Sequence, residues 1–437
     1  MAKETNKTKL IPIILIIALV VFNIFLHVSR TIPTTLDYSI DLRYNRVKDL
    51  LNHTWAGVEE FPSMLFCMFP IALFPDMQAA RLGWMIANFA FSFIIMFCLK
   101  ATLFHNISST WFIVITLFFT SSVPVATAIM NGQNLLFSLA FFMMAYALSS
   151  ADDNSGYGAA TTNDALYFNN SRNKAHLVRS VVAATASSKS SSSGVGSFLL
   201  SILAGLLLGI SYFKYSTIFF LVPIFIYKRK WIELITSAIL HIALNIFAIF
   251  WLNTSLLHII LSPITSSTDT NAGAGFIDIM TMLYTKAGFL GSYTGTVYLI
   301  ILVAAYLLLL FIAVKRTTND EMLFFSLCCA LSTILIYHRQ YDFFVLIVPM
   351  YYLIETAGHS FSFKNLSSPI EKSSRILEIC ALLISLVGIF TVMYLNWIFK
   401  YTGVSIEYGL GATIFYECSI IGIYVLCGYL LIKSLLR

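Results

Sequence analysis

The chain has 437 residues, 58% hydrophobic and only 11% charged, with a mean hydropathy of +0.83 and a formal net charge of +6. Its 37 Phe, 22 Tyr and recurring apolar runs near the length of a bilayer crossing exclude a soluble globular protein. The runs are continuously apolar rather than alternating, which excludes a membrane β-barrel. The basic residues are scattered between runs, which argues for orientation in a membrane and against nucleic-acid binding.

In chain order, the first run, "KLIPIILIIALVVFNIFLHV", starts basic but is long for a signal peptide and lacks a small-x-small cleavage site, so it reads as a retained span. Next comes "TTLDYSIDLRYNRVKDLLNH", residues 34–53, which gathers Asp37, Asp41, Arg43, Arg46, Lys48 and Asp49 in a chain that otherwise avoids charge. Apolar segments fall at 10–28, 62–75, 82–104, 110–124, 134–149, 197–213, 216–227, 232–252, 294–314, 321–337, 341–356, 376–399 and 409–432. They predict an all-α, polytopic integral membrane protein with about 11–13 transmembrane helices in a single membrane domain over 1–437. The shorter segments fall below a roughly 30 Å crossing and are expected around a cavity. Residues 150–196, rich in Ser, Asn and Ala, read as a flexible loop. The seven cysteines show no metal-ligand spacing and read as buried free thiols.

Lys and Arg orient the spans. Lys433 with Arg437, Lys364 with Lys372 and Arg375, Lys315 with Arg316, Lys228-Arg229-Lys230, and the basic residues of 150–196 mark cytoplasmic loops. The stretch 30–60 and the turns at 125–133, 213–215, 253–293, 338–340 and 400–408 then face the other side. Parity fails once. Four segments separate 30–60 from 150–196 where an odd number is required, so one of 62–75, 110–124 or 134–149 is re-entrant, or two merge.

This topology puts the charged stretch, "NGQN" at 131–134, Lys214 and "HRQYD" at 338–342 on one side, near membrane depth, where ionisable groups are costly and mark function. A carboxylate among cations suits a reaction that deprotonates a hydroxyl and expels a phosphate. Asp37 and Asp41 share a face if their stretch is helical, and spacing alone leaves either as the base.

The order of these motifs resembles glycosyltransferase family 87, membrane mannosyltransferases of the GT-C fold. "DLRYNRVKDLL" is similar to the family's first-loop segment, with Tyr44 one position early. Phe61-Pro62-Ser63 stands for Tyr-Pro-Pro, followed by matching Arg81, Trp84 and Asn88. "NGQN", the run ending "SYFKYSTIFFLVPIFIYKRKW" and "YHRQYD" complete the set, which spans about residues 30–355. The resemblance implies inverting transfer of mannose or a related hexose from a polyprenyl-phosphate sugar to a lipid or glycan acceptor. The site would face outward from the plasma membrane, with 30–60 as its catalytic loop. It favours Asp41 over Asp37 as base, with Lys214, His338 and Arg339 on the donor phosphate. Arg43, Tyr44, Gln133, Asn134 and Tyr341 fall to substrate binding. No cofactor or metal is implied, since the lipid-linked sugar is a substrate. The rival class is a transporter or flippase of lipid-linked sugar, which predicts internal repeats and mid-span charges. Neither is evident here.

Overall fold

A computed structural model describes residues 13–23, 39–55, 60–104, 107–156, 193–271, 278–279, 294–335, 340–360, 369–395 and 410–436. Among the described residues every regular element is helical, as expected of apolar sequence whose backbone must satisfy its own hydrogen bonds in hydrocarbon. Among the described residues six helices are long and apolar enough to cross a membrane, and a broken pair makes up to seven. Three shorter apolar helices, Ile13–Asn23, Leu135–Ala151 and Glu321–Leu335, also occur, so fewer described helices pass the length test than the apolar segments counted from sequence.

The chain begins with α1 (Ile13–Asn23), whose Asn23 amide donates to the Leu117 carbonyl at 3.0 Å. The charged stretch is α2 (Ser39–Leu51). Segment 62–75 is no span: it forms α3 (Pro62–Cys67), started by proline, and a 3-10 turn, Phe69–Leu73. Six helical residues reach only about 9 Å. With this segment set aside, three of the apolar segments counted from sequence are left before the long loop, the odd number that the parity requires. Next is α4 (Met77–Thr102), capped by Asp76, whose carboxylate accepts the Ala79 N–H at 2.8 Å. Helices α5 (Ser109–Thr120) and α6 (Val123–Met130) follow, then α7 (Leu135–Gly156) and α8 (Ser193–Ser211). Helix therefore claims both ends of the predicted 150–196 loop, whose middle lies outside the described residues. Beyond the 3-10 turn Tyr212–Lys214 come α9 (Tyr215–Leu221), α10 (Pro223–Tyr227), α11 (Trp231–Leu252) and α12 (Leu256–Asn271). The last helices are α13 (Thr294–Lys315), α14 (Glu321–Leu335), α15 (Ile347–Ser360), α16 (Pro369–Phe390) and α17 (Leu410–Leu436).

The chain gathers into two compact units. The first comprises Met1–Phe118, Ile129–Lys214 and Lys230–Ile264, the second Phe119–Ala128, Tyr215–Arg229 and Thr265–Arg437. In the first unit, pairings of residues set the helix directions. Trp84 meets Phe137 and Phe91 meets Phe141, so α4 and α7 run parallel. Glu233 meets Ser201 and His241 meets Gly209, so α8 and α11 also run parallel. The Lys214 N–H donates to Ser138 Oγ at 2.9 Å, while Ser149 and Ser201 share Glu233, so α7 and α8 are antiparallel. The Asp76 cap, the Gly132 turn, Lys214 and Trp251 thus lie at one end of this unit. Lys100, Ser149 and Glu233 lie toward the other.

Two of the polar groups between these helices are closely paired. Glu233, 1% exposed, accepts from the Ser149 hydroxyl at 2.7 Å and the Ser201 hydroxyl at 3.2 Å. His241 donates from Nε2 to the Gly209 carbonyl at 2.8 Å, which leaves Nδ1 to accept from the Ser63 hydroxyl at 3.0 Å. Unpaired, such groups would be costly at membrane depth. Of the cysteines, all free, Cys328, Cys329 and Cys427 are buried, whereas Cys380 is exposed, against the expectation of burial throughout. Burial pushes the Cys67 thiol in the short α3 up to about 12.

In the second unit α16 and α17 cross where glycine meets glycine. A Cβ added at Gly388 would lie 2.5 Å from the Gly422 Cα, so the backbones touch, as small residues allow between membrane helices. Toward their other ends Lys433 donates to Glu378 at 3.2 Å and to the Tyr429 hydroxyl at 2.7 Å. Gly388→Leu is expected to destabilise the protein by about 2 kcal/mol or more through overpacking. Gly196→Leu, where nothing lies within 4 Å, is expected to be neutral. Thermal unfolding of both variants in detergent checks the contrast.

Candidate functional site

The charged stretch is an amphipathic helix. Ile40, Tyr44, Val47 and Leu50, spaced three and four residues apart, are all buried. They join Met64, Leu65, Met68, Ile71, Ala80, Trp84, Phe137 and Phe213 in one apolar cluster. This cluster binds α2, α3, α4, the start of α7 and the residue before Lys214. Three motifs far apart in sequence therefore meet at one end of the first unit.

The charges of α2 find partners on that seat. Arg81, from the first turns of α4, makes a two-pronged pair with Asp41: Nε donates to Oδ1 at 2.8 Å and Nη2 to Oδ2. The pair is partly open, with the Arg81 side chain 39% and the Asp41 side chain 26% exposed. Arg43 and Arg46 instead converge on Glu60, which is 5% exposed: Arg43 Nη2 lies 3.4 Å from Oε1, and Arg46 Nη1 donates to Oε2. At the C-terminal end of α2, His53 stacks on Trp251 at 4.0 Å and the Trp251 indole donates to the Leu50 carbonyl at 2.8 Å. The helix is pinned at both ends and beneath.

The residues expected from sequence fall in different places. Asp41 lies at the partly open edge. Arg43 is turned onto Glu60, and Tyr44 is buried with its hydroxyl donating to the Phe74 carbonyl at 3.2 Å. Gln133 is buried, and its backbone carbonyl accepts from the Asn88 side-chain amide at 3.0 Å. Asn134 is 2% exposed, and its Oδ1 has no hydrogen-bond partner among the described residues. The Trp84 indole N–H, from the same cluster, is likewise without one. A buried polar group left so costs about 1–3 kcal/mol and calls for an explanation. Lys214 is half-buried beside the cluster residue Phe213. Tyr341 lies in the 3-10 segment Gln340–Leu346, while Asp37, His338 and Arg339 lie outside the described residues.

Sequence reasoning noted Arg81 only as part of a motif and passed over Glu60. Each carried a signal: an arginine at the edge of an apolar span, and an acid just before one, both in need of counter-charges. Gly132 has a reason for being glycine. Its φ is +62°, and an added Cβ would lie 2.7 Å from the Ile40 Cβ, so the turn and α2 touch there.

Compared with known proteins, the chain matches no family model, no curated protein and no solved structure.

Gly132→Ala combines a left-handed backbone with a clash against α2, and is expected to cost about 2 kcal/mol or more. Glu60→Gln strands two partly buried guanidinium groups and is expected to cost about 3 kcal/mol. Asp41→Asn opens a pair that water already reaches, and its cost is expected to stay within about 1 kcal/mol. Melting temperatures of the three purified variants test this ranking.

Proposed function

We propose that this chain is an integral-membrane glycosyltransferase. It moves mannose or a related hexose from a polyprenyl-phosphate donor to a lipid or glycan acceptor on the extracytoplasmic face of the plasma membrane. The observation that supports this reading is the meeting of Asp41, Arg81, the Gly132–Asn134 turn and Lys214 at one end of a membrane helical unit. It is a carboxylate, two cations and buried amide groups at the edge of an apolar bundle.

In this reading Asp41 takes the proton of the acceptor hydroxyl as its oxygen attacks C1 of the sugar. The bond between C1 and the phosphate oxygen breaks, and polyprenyl phosphate leaves with the electron pair as an anion. That leaving group needs positive charge rather than an acid, and Arg81 and Lys214 supply it. Arg81 occupies both Asp41 oxygens at rest. A donor phosphate, an equally good partner for a planar guanidinium, draws Arg81 away and frees the carboxylate when substrate is present. The orphan Asn134 oxygen and Trp84 indole N–H then have sugar hydroxyls as partners.

Membranes with and without the protein, given radiolabelled polyprenyl-phosphate mannose, provide the direct test. Transfer that depends on the protein is expected, and equal transfer with and without it removes the reading. Asp41→Asn is expected to lower turnover by about 10²-fold or more with donor binding intact. Wild-type turnover in that variant, with loss in Asp37→Asn, moves the base four residues upstream in sequence. Lys214→Met keeps the apolar stem, and is expected to weaken transition-state stabilisation by about 1.5–3 kcal/mol, read from kcat/KM.

A further inference from the structure

In the second unit the turn after α10 meets the turn after α13, and each contains an arginine where glycine is the usual residue. Arg229 has φ 59° and Arg316 φ 50°, left-handed backbone that an L side chain enters at a cost. Glycine would relieve that cost at both positions; the chain has an exposed cation at each instead.

The corner is well ordered by its contacts. Arg316 Nε donates to the Tyr227 carbonyl at 2.8 Å, and its guanidinium carbon sits 5.5 Å from the centre of the Tyr227 ring. The Tyr227 hydroxyl donates to the Thr318 carbonyl at 2.9 Å. Of the two acids nearby, Glu321 pairs with Lys228 at 2.9 Å and Asp320 accepts the Leu323 N–H of α14 at 3.0 Å. Arg229, Lys315 and Arg316 make no ion pair among the described residues.

Their depth says which anion they meet. The candidate span Thr296–Lys315 has a mean hydropathy of 3.0, so Lys315 and Arg316 stand where the apolar crossing ends. At that depth the abundant anion is the phosphate of a lipid headgroup. Orienting the span requires only positive charge. It requires neither left-handed arginines nor a guanidinium fastened to a tyrosine carbonyl and ring, whereas a phosphate site is served by a fixed planar fork. We infer that Arg229, Lys315 and Arg316 form a binding site for the phosphate of an anionic phospholipid headgroup. The site shares no residue with the proposed glycosyl-transfer centre, and its test needs no activity.

The full chain is purified in detergent, offered phosphatidylglycerol or phosphatidylcholine, and examined by native mass spectrometry and thermal unfolding. Wild type is expected to retain phosphatidylglycerol preferentially and to melt higher with it. The triple variant R229Q/K315Q/R316Q is expected to lose at least about tenfold in that preference. Undiminished preference in the triple variant overturns the proposal. Displacement of the lipid by millimolar inorganic phosphate overturns the lipid assignment in favour of a small-anion site. Arg316→Gly, which removes the cation and relieves the backbone, keeps the test open if the triple variant does not fold. It is expected to melt no lower than wild type in phosphatidylcholine but to lose the phosphatidylglycerol response. A full response in Arg316→Gly, or equal loss of stability in both lipids, counts against the site.

Discussion

The seating of α2 on the apolar cluster is the contact on which the candidate site depends. Ile40, Tyr44, Val47 and Leu50 form its underside, and their burial alone offers several kcal/mol of hydrophobic stabilisation. That seat brings Asp41 within reach of Arg81 and puts Ile40 against the Gly132 turn. A polar helix without that stripe would leave for water. A wholly apolar one would enter the bilayer. Amphipathicity keeps α2 at the boundary between the apolar cluster and water, with Asp41 at its partly open edge.

A second constraint is the cost of charge away from water. Among the described residues of the first unit, the two most thoroughly buried carboxylates solve it differently. Glu60 receives two arginines, and Glu233 receives two serine hydroxyls. Both hold segments together, one at each end of the unit. Asp41 contrasts with them because its pair is partly exposed. A pair that water and ligands reach can exchange partners, whereas a buried one pays a desolvation penalty on opening. Of these three acids, the least enclosed is therefore the one to which the proposed function assigns the base.

Packing between helices follows the same economy of polar and small groups. His241 joins α3, α8 and α11 through one donated and one accepted hydrogen bond. Gly388 and Gly422 bring α16 and α17 to backbone contact, where dispersion replaces the hydrophobic drive that lipid cannot supply. Proline at the starts of α3 and α10 and aspartate at the start of α4 mark local helix boundaries.

Composition and periodicity by themselves determined the all-helical membrane class, the places of most helices and the candidate motifs, because these follow from local apolar content and from residue type. The cluster of charge near residue 40 was legible, and so was the parity conflict between residues 60 and 150. Only the tertiary structure decided that 62–75 does not cross, since a proline-started helix followed by a 3-10 turn is too short whatever its hydropathy. It also separated Asp41 from Arg43 and Tyr44, neighbours in sequence. A helix turns successive residues by about 100°, so Asp41 meets α4 at the open edge, Arg43 turns to Glu60, and Tyr44 goes into the core. Arg81 as the partner of Asp41 lies 40 residues away. No local pattern encodes such a pairing; it arises when α2 and α4 bury their apolar faces in a common cluster.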